Sequence, residues 1–446
     1  MMTTPVEQYV SEFANVKANL PGPALPWLDI IRKQAIRSID RNGFPHRRHE
    51  EWKYTDISSI ADTFFQPVQG TAPTLLWKEL NALGLDFTDS YPMIFLDGRY
   101  TPLFSDSLKP PDGISIESLQ HVLTVNPESV KKHLTRFSET GSNVFTDLNT
   151  AFMNDGSFIY LSKNAKMTQP IQLVFVSTSQ KEPVVSQPRN LVILAEGAKA
   201  SVVQRFISLN QNSDYLTNVV TEIFLDQHAQ LEHLVIQEEN FSTSHINTIR
   251  VQQNKQSHFA SQVFTFGGGL TRNNLDIELN AEEAECSLDG LFMANGDQHI
   301  DNHTRVDHKK PCCTSRELYK GVLDSNGRGV FNGKVYVHPD AQQTKAFQKN
   351  TNLLLSKNAE MDTKPQLEIY ADDVSCSHGA TVGQLDEKAV FYLRSRGLDE
   401  TKARDLLIYS FVEEMIQKVR FEQLRDQLRN TLNVKLSATD ERKEIN

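Results

Sequence analysis

The chain has 446 residues, 46 Lys and Arg against 56 Asp and Glu, a formal charge of −10 at pH 7, and 39% hydrophobic and 23% charged residues. That composition belongs to a folded chain with about three domains' worth of length and excludes collagen-like and low-complexity sequences. The acidic balance argues against a nucleic-acid partner, no run of about 18 apolar residues is present to span a bilayer, and MMTTPVEQYVSEF carries neither a basic nor an apolar leader, so a cytoplasmic protein without a membrane partner is expected.

Apolar residues recur at three- and four-residue spacing from Val6 to about Leu20 and from Leu25 to about Ile39, as amphipathic helices require, and Gly43 with Pro45 stops the second. Glu50 to Ser58, EEWKYTDIS, mixes charge with two aromatics and reads as a surface segment anchored by Trp52 and Tyr54. Between about Tyr91 and Ser162 the signals are mixed. Asp97-Gly98 suits a tight hairpin turn within Ile94–Tyr100, and Pro127 to Leu134 reads as helix.

From Ile171 the pattern changes to short apolar runs between polar turns: IQLVFV, NLVILA, VVTEIFL, HLVIQ, INTIRVQ and LDIEL. These are strands. Their turns fall at Ala198, Ala229, Gln256, Ala284 and Cys312, at spacings of 31, 27, 28 and 28, as stacked coils burying one continuous core would place them. A β-solenoid is favoured over an all-β sandwich or barrel. The chain then divides into an N-terminal helical region (1–90), a mixed lead-in (91–165), a β-helix core (166–385) and a C-terminal helical region (386–446).

In that last region Asp386 can cap EKAVFYLRSR, Gly397 can close it, and Asp399 can cap a second helix. Ala403, Leu406, Leu407, Phe411, Met415 and Ile416 make a broad apolar face, continued by Phe421, Leu424, Leu428 and Leu432. A local core is the commoner use of such a face, and any exposed remainder is a docking surface. The final SATDERKEIN is expected to fray.

Chemistry is sparse. The four cysteines, Cys286, Cys312, Cys313 and Cys376, form no CxxC pair and read as reduced thiols. GRGVFNGK, Gly327 to Lys334, fails the phosphate-loop pattern at Arg328 and Val335, and its glycines read as turning one strand into the next. No GxSxG elbow, HExxH pair or EF-hand loop occurs. His299, His303, His308, Cys312 and Cys313 match no closed zinc spacing and read as structural. Cys376 and His378 are one residue apart, which on an extended strand puts both on one face with Cα atoms about 7 Å apart. Three readings stay open for them: nucleophile and base, half of a metal site, or core residues near a turn.

The stretch ADDVSCSHGATVGQLDEKAVFYLRSRG, Ala371 to Gly397, resembles the signature of the iron-sulfur cluster assembly proteins of the SufB/SufD family, and EEWKYTDIS and DLNTAFMNDGSFIY, Asp147 to Tyr160, resemble further segments of it. The absence of a clustered cysteine motif places the resemblance on the SufD side. It implies a right-handed parallel β-helix between helical ends, with no catalytic step and no nucleotide of its own. It also implies a scaffold shared with a SufB-like subunit and a SufC-like ABC ATPase, holding a transient iron-sulfur cluster whose sulfur comes from a cysteine desulfurase system. The metal-ligating role falls on His378, with Cys376 beside it. ATPase docking falls on roughly Asp386 to Val419, where Leu393, Leu406, Leu407, Phe411 and Met415 are the expected contacts. The resemblance further brings a reduced flavin to the complex, without assigning it to this chain, and leaves open a homodimer when partners are absent. The rival readings are a β-solenoid enzyme acting on polysaccharide, with Asp372 and Asp373 offered as carboxylates, and a purely structural adaptor.

Overall fold

The computed structural model describes residues 3–68, 85, 87–102, 109–136, 143–178, 182–209 and 214–443. Two amphipathic helices, Pro5–Val16 and Pro26–Asn42, open the chain. Thr4 caps the first through a reciprocal pair with Glu7, and Gly43 at φ 63° ends the second. The first stops short of Leu20 because its last turn tightens into a 3-10 turn at Lys17–Asn19.

Asp97 and Gly98, at φ 48° and 77°, form the expected two-residue turn between the antiparallel strands Tyr91–Leu96 and Arg99–Thr101. A helix covers Pro127–Lys131 and packs with another at Leu119–Val125, while a third, Val144–Phe152, packs against Pro26–Asn42. The last of these is buried from Phe145 through Phe152. Its polar residues Thr146, Asp147, Asn149 and Thr150 are buried along with the apolar ones, so the amphipathic pattern of this helix marks no solvent face.

The middle of the chain is a parallel β-solenoid of about seven turns, not a sandwich. Its strands alternate between two sheets. One stacks Arg189–Leu194, Tyr215–Leu225, Thr243–Gln253, Leu270–Leu279, His299–His308, Arg328–Val337 and Glu360–Ile369. The other stacks Ile171–Ser177, Lys199–Ser208, Gln230–Glu238, His258–Thr265, Glu285–Ala294, Thr314–Leu323, Thr344–Leu354 and Val374–Gly383.

The regular turns seen in the sequence are the corner between the sheets. At each corner one residue takes a left-handed backbone: Gly197, His228, Gln256, Glu283, Cys312 and Gln343, with φ between 53° and 69°. Each turns its N–H onto the next coil, as His228 does to the Lys255 carbonyl at 2.9 Å and Cys312 to Gln342 at 2.9 Å. The residue after it, Ala198, Ala229, Ser257, Ala284, Cys313 or Thr344, is fully buried in a column of small side chains. The adjacent cysteines thus have opposite fates, Cys312 exposed at the corner and Cys313 in the column. Of the phosphate-like loop only Gly327 lies in a turn; contrary to expectation, Gly329 and Gly333 sit within the strand Arg328–Val337.

The ends of the solenoid differ. At the start, Ile114–Ser118 runs antiparallel along Ser157–Leu161 and Arg99–Thr101 along Tyr91–Leu96. At the finish, Glu360–Ile369 and Val374–Gly383 are the outermost strands of their sheets among the described residues.

Helices cover the flank. Asp386 and Asp399 cap Glu387–Ser395 and Glu400–Gln417 through the Lys388 and Lys402 amides, as read from the sequence. With Glu422–Lys443 these run back along the outer face of the second sheet, where Ile408, Val412 and Leu428 pack with Ile236, Leu291 and Val322. The backbone is helical as far as Lys443, so the helix takes in most of the final SATDERKEIN; residues 444–446 lie outside those described. No helix among the described residues is long and apolar enough to cross a membrane.

The segment EEWKYTDIS is the expected surface segment anchored by Trp52, with Tyr54 only half-buried, and it latches onto the outer face of the first sheet. Trp52 is buried with the Arg272 guanidinium 3.8 Å from its ring centre. Arg272 donates to the Glu51 carbonyl at 2.7 Å and pairs with buried Asp301 at 2.9 Å, and Thr55 Oγ1 also donates to Asp301. Lys364, on the outermost strand of that sheet, pairs with Glu50. Trp52→Ala should therefore destabilise the protein by about 3 kcal/mol and expose residues 43–60 to limited proteolysis. Unfolding in urea and mapping of the first cleavage check this.

Candidate functional site

Cys376 and His378 lie on the last strand of the second sheet, Val374–Gly383. Its alternate residues Val374 and Cys376 point into the solenoid, packing with Val335, Val337 and Ala346. Strand alternation gives His378 the same inward direction. Among the described residues no further coil covers this strand, so its inward row opens to solvent: Cys376 is half-buried and His378 exposed. Ile369, Tyr370 and Val382 add exposed apolar surface to the same end.

Desolvation raises the Cys376 thiol above its usual range, against a smaller downward pull from its hydrogen bond with the Ala346 backbone. A thiol held protonated is a poor nucleophile and becomes a ligand only when a metal displaces its proton. The two donors are neighbours on one strand, and among the described residues no group of three or more His, Cys, Asp or Glu is placed to hold a metal ion. Four ligands complete a tetrahedral site, so this pair supplies at most half of one.

Behind the pair runs an inward row with polar members. Ser315, Ala346 and Cys376 occupy matching positions on successive coils, as do Glu317, Gln348 and His378. Buried His308 bonds Ser315 at 2.9 Å, and burial holds its imidazole down at about 4. Burial also pushes the Glu317 carboxyl up to about 7, offset by hydrogen bonds from Gln348 and Thr304.

The other histidines separate as expected of structural residues. His299 and His303 face outward under the N-terminal latch, at 3.0 Å from Thr55 and Asp301 respectively. Asp372 and Asp373 are both exposed in the turn before the last strand, where the Asp373 carbonyl accepts from the Gln343 amide.

The expected docking residues divide. Leu406 is 48% exposed, whereas Leu393, Leu407 and Phe411 are half-buried against the helical core. Met415 is 1% exposed and packs with the solenoid, so it is removed from the docking surface. The buried stripe is Ala403, Ile408, Val412, Met415 and Ile416, which the helical period selects over the face drawn through Leu406. Phe391 and Tyr392, 72% and 57% exposed, are the aromatics that the sequence reading missed. The signal was available: five consecutive apolar residues, Ala389 to Leu393, circle the helix and cannot all face one core.

Residues 175–411 match the family profile described as "SUF system FeS cluster assembly, SufBD core domain", and residues 3–173 that described as "SufBD protein N-terminal region". A SufBD family protein of Synechocystis is 33% identical over 396 residues, 87% of each chain. The iron-sulfur cluster assembly protein SufD of Escherichia coli is 33% identical over 399 residues, 89% of this chain and 90% of that one. The chloroplastic protein ABCI7 of Arabidopsis thaliana is 30% identical over 418 residues, 92% of this chain and 86% of that one.

A carboxyl raised by burial costs stability wherever it must ionise. The Glu317 contribution is therefore intact below the unfolded value of about 4.5, is lost as pH climbs through about 7, and leaves a penalty of about 3 kcal/mol above that. Glu317→Gln should be more stable than the parent chain at pH 8, with the difference closing toward pH 5. Denaturant melts across that range measure it.

Proposed function

Since this chain belongs to the SufB/SufD family of iron-sulfur cluster assembly proteins and is most like SufD, we propose that it acts in the cytoplasm as a non-catalytic scaffold subunit on which a cluster forms at a subunit boundary. The observation that carries the reading is an incomplete donor pair at an uncovered sheet end. His378 and half-buried Cys376 occupy the outermost strand, whose free edge offers backbone groups to another chain. A SufB-like subunit pairing there would extend the sheets, cover Tyr370 and Val382, and bring the missing ligands. His378 serves as the donor that is ready, and Cys376 as one that must first lose its proton. The cluster is cargo, built from iron and from sulfur supplied by a cysteine desulfurase system.

The same proposal assigns Phe391, Tyr392 and Leu406 to a SufC-like ABC ATPase. Asp386 begins the helical region only eight residues after His378, and its helices pack on the sheet that carries the site. Movement of the docked ATPase during its nucleotide cycle would strain this junction and open the subunit boundary to iron and sulfide.

Anaerobic reconstitution with iron and sulfide, with and without a SufB-like partner, tests the reading. A visible chromophore is expected only in the mixture, reduced at least tenfold by His378→Ala and less by Cys376→Ala, with subunit association intact. Full chromophore in His378→Ala would remove the role. Replacing Phe391, Tyr392 and Leu406 together by Ser should weaken ATPase capture at least tenfold in a pull-down while leaving the melting temperature within about 3 °C.

A further inference from the structure

The row that ends at His378 is connected to the interior. Glu317, Gln348 and His378 stand in register on the parallel strands Thr314–Leu323, Thr344–Leu354 and Val374–Gly383. Their Cα atoms are spaced about 4.8 Å from coil to coil, with the side chains pointing the same way. Glu317 and Gln348 are 4% and 3% exposed. Glu317 Oε2 accepts from Thr304 Oγ1 at 2.9 Å and from Gln348 Nε2 at 2.8 Å. Those two bonds orient the amide: Nε2 is held toward Glu317, and Gln348 Oε1 is left buried without a donor. Gly333, on the facing strand, makes room for this arrangement, because a Cβ there would collide with the Gln348 amide.

A buried carbonyl oxygen without a donor is unfavourable, and the in-register neighbour on the open side is His378, which carries a ring N–H in either neutral tautomer. The His378 side chain makes no hydrogen bond to any other described residue, so no contact among them fixes its tautomer. We propose that Gln348, oriented by Glu317 and Thr304, is the positioning residue for His378: its Oε1 accepts from one ring N–H, which fixes the tautomer and directs the other ring nitrogen, with its lone pair, out of the open end toward incoming iron. This rests on the reading of His378 as a ligand. Histidines that bind metals are generally held this way, by a carbonyl or carboxylate on the far ring nitrogen. Here the holder is an interior amide, itself anchored to a buried acid one coil deeper.

The test is ring-nitrogen NMR of the full-length chain labelled with ¹⁵N-histidine, at about pH 8.5, where an ordinary imidazole is neutral. The His378 signal is identified by its loss in His378→Asn. A single tautomer is expected in the parent chain and in Glu317→Gln, which keeps an acceptor for Gln348, and a mixture in Gln348→Leu. Gln348→Leu should also lower iron(II) affinity of the two-subunit complex by roughly 10- to 100-fold. A mixed-tautomer ring in the parent chain overturns the proposal without any variant, as does a single tautomer that survives in folded Gln348→Leu. The two readings fail separately. Full cluster yield in His378→Ala beside a single-tautomer ring would end the ligand role and leave the hydrogen bond. Lost yield beside a mixed ring would do the reverse.

Discussion

A parallel solenoid is held together by each coil satisfying the backbone of the one before it, and such a stack has no internal way to end. In this protein the coupling is visible at the corners, where left-handed residues such as His228, Gln256 and Cys312 turn their amides onto carbonyls of the following coil. The first coil is closed by antiparallel strands and helices. After Gly383 the chain passes into helix, and among the described residues both sheets stop at strands with a free edge. Everything specific to the candidate site follows from that asymmetry.

Cys376 and His378 belong to rows that elsewhere in the solenoid are core. Cys286, three coils deeper in the Cys376 row, is buried with its thiol pushed well above the ordinary range. Cys376 has the same inward direction but only partial cover, so its thiol is raised yet reachable. The position therefore combines a rigid backbone, fixed by the coil beneath, with side chains open to a ligand. Sites on regular elements hold their geometry better than sites on loops, and a terminal coil gives that rigidity together with access.

The two helical regions brace opposite outer faces of the stack. The N-terminal latch reaches the outermost strand of one sheet through Glu50 and Lys364 and grips deeper coils through Trp52, Thr55, Arg272 and Asp301. The C-terminal helices do the same on the other sheet, with Lys320 bonded to Glu414 and the Phe411 carbonyl, and Lys418 to Asp289. A force on those helices is thus transmitted to the sheet whose last strand carries the donors.

Much of this was legible in one dimension. Period-two apolar runs and near-constant turn spacing identified the solenoid, because a coil's length is set by the perimeter that its neighbours impose. Helix caps at Asp386 and Asp399 were readable because capping is local, and the triplet around Cys376 stood out by resemblance. What the sequence could not convey was contact between distant segments. Trp52 as a lid on Arg272, the helix Val144–Phe152 buried on all sides, Met415 turned toward the sheet, and the row from Glu317 through Gln348 to His378 each join residues tens to hundreds of positions apart. A linear pattern specifies which way a side chain leaves its own strand or helix. Only the stacked coils decide what it meets there, because that depends on the register between strands about thirty residues apart.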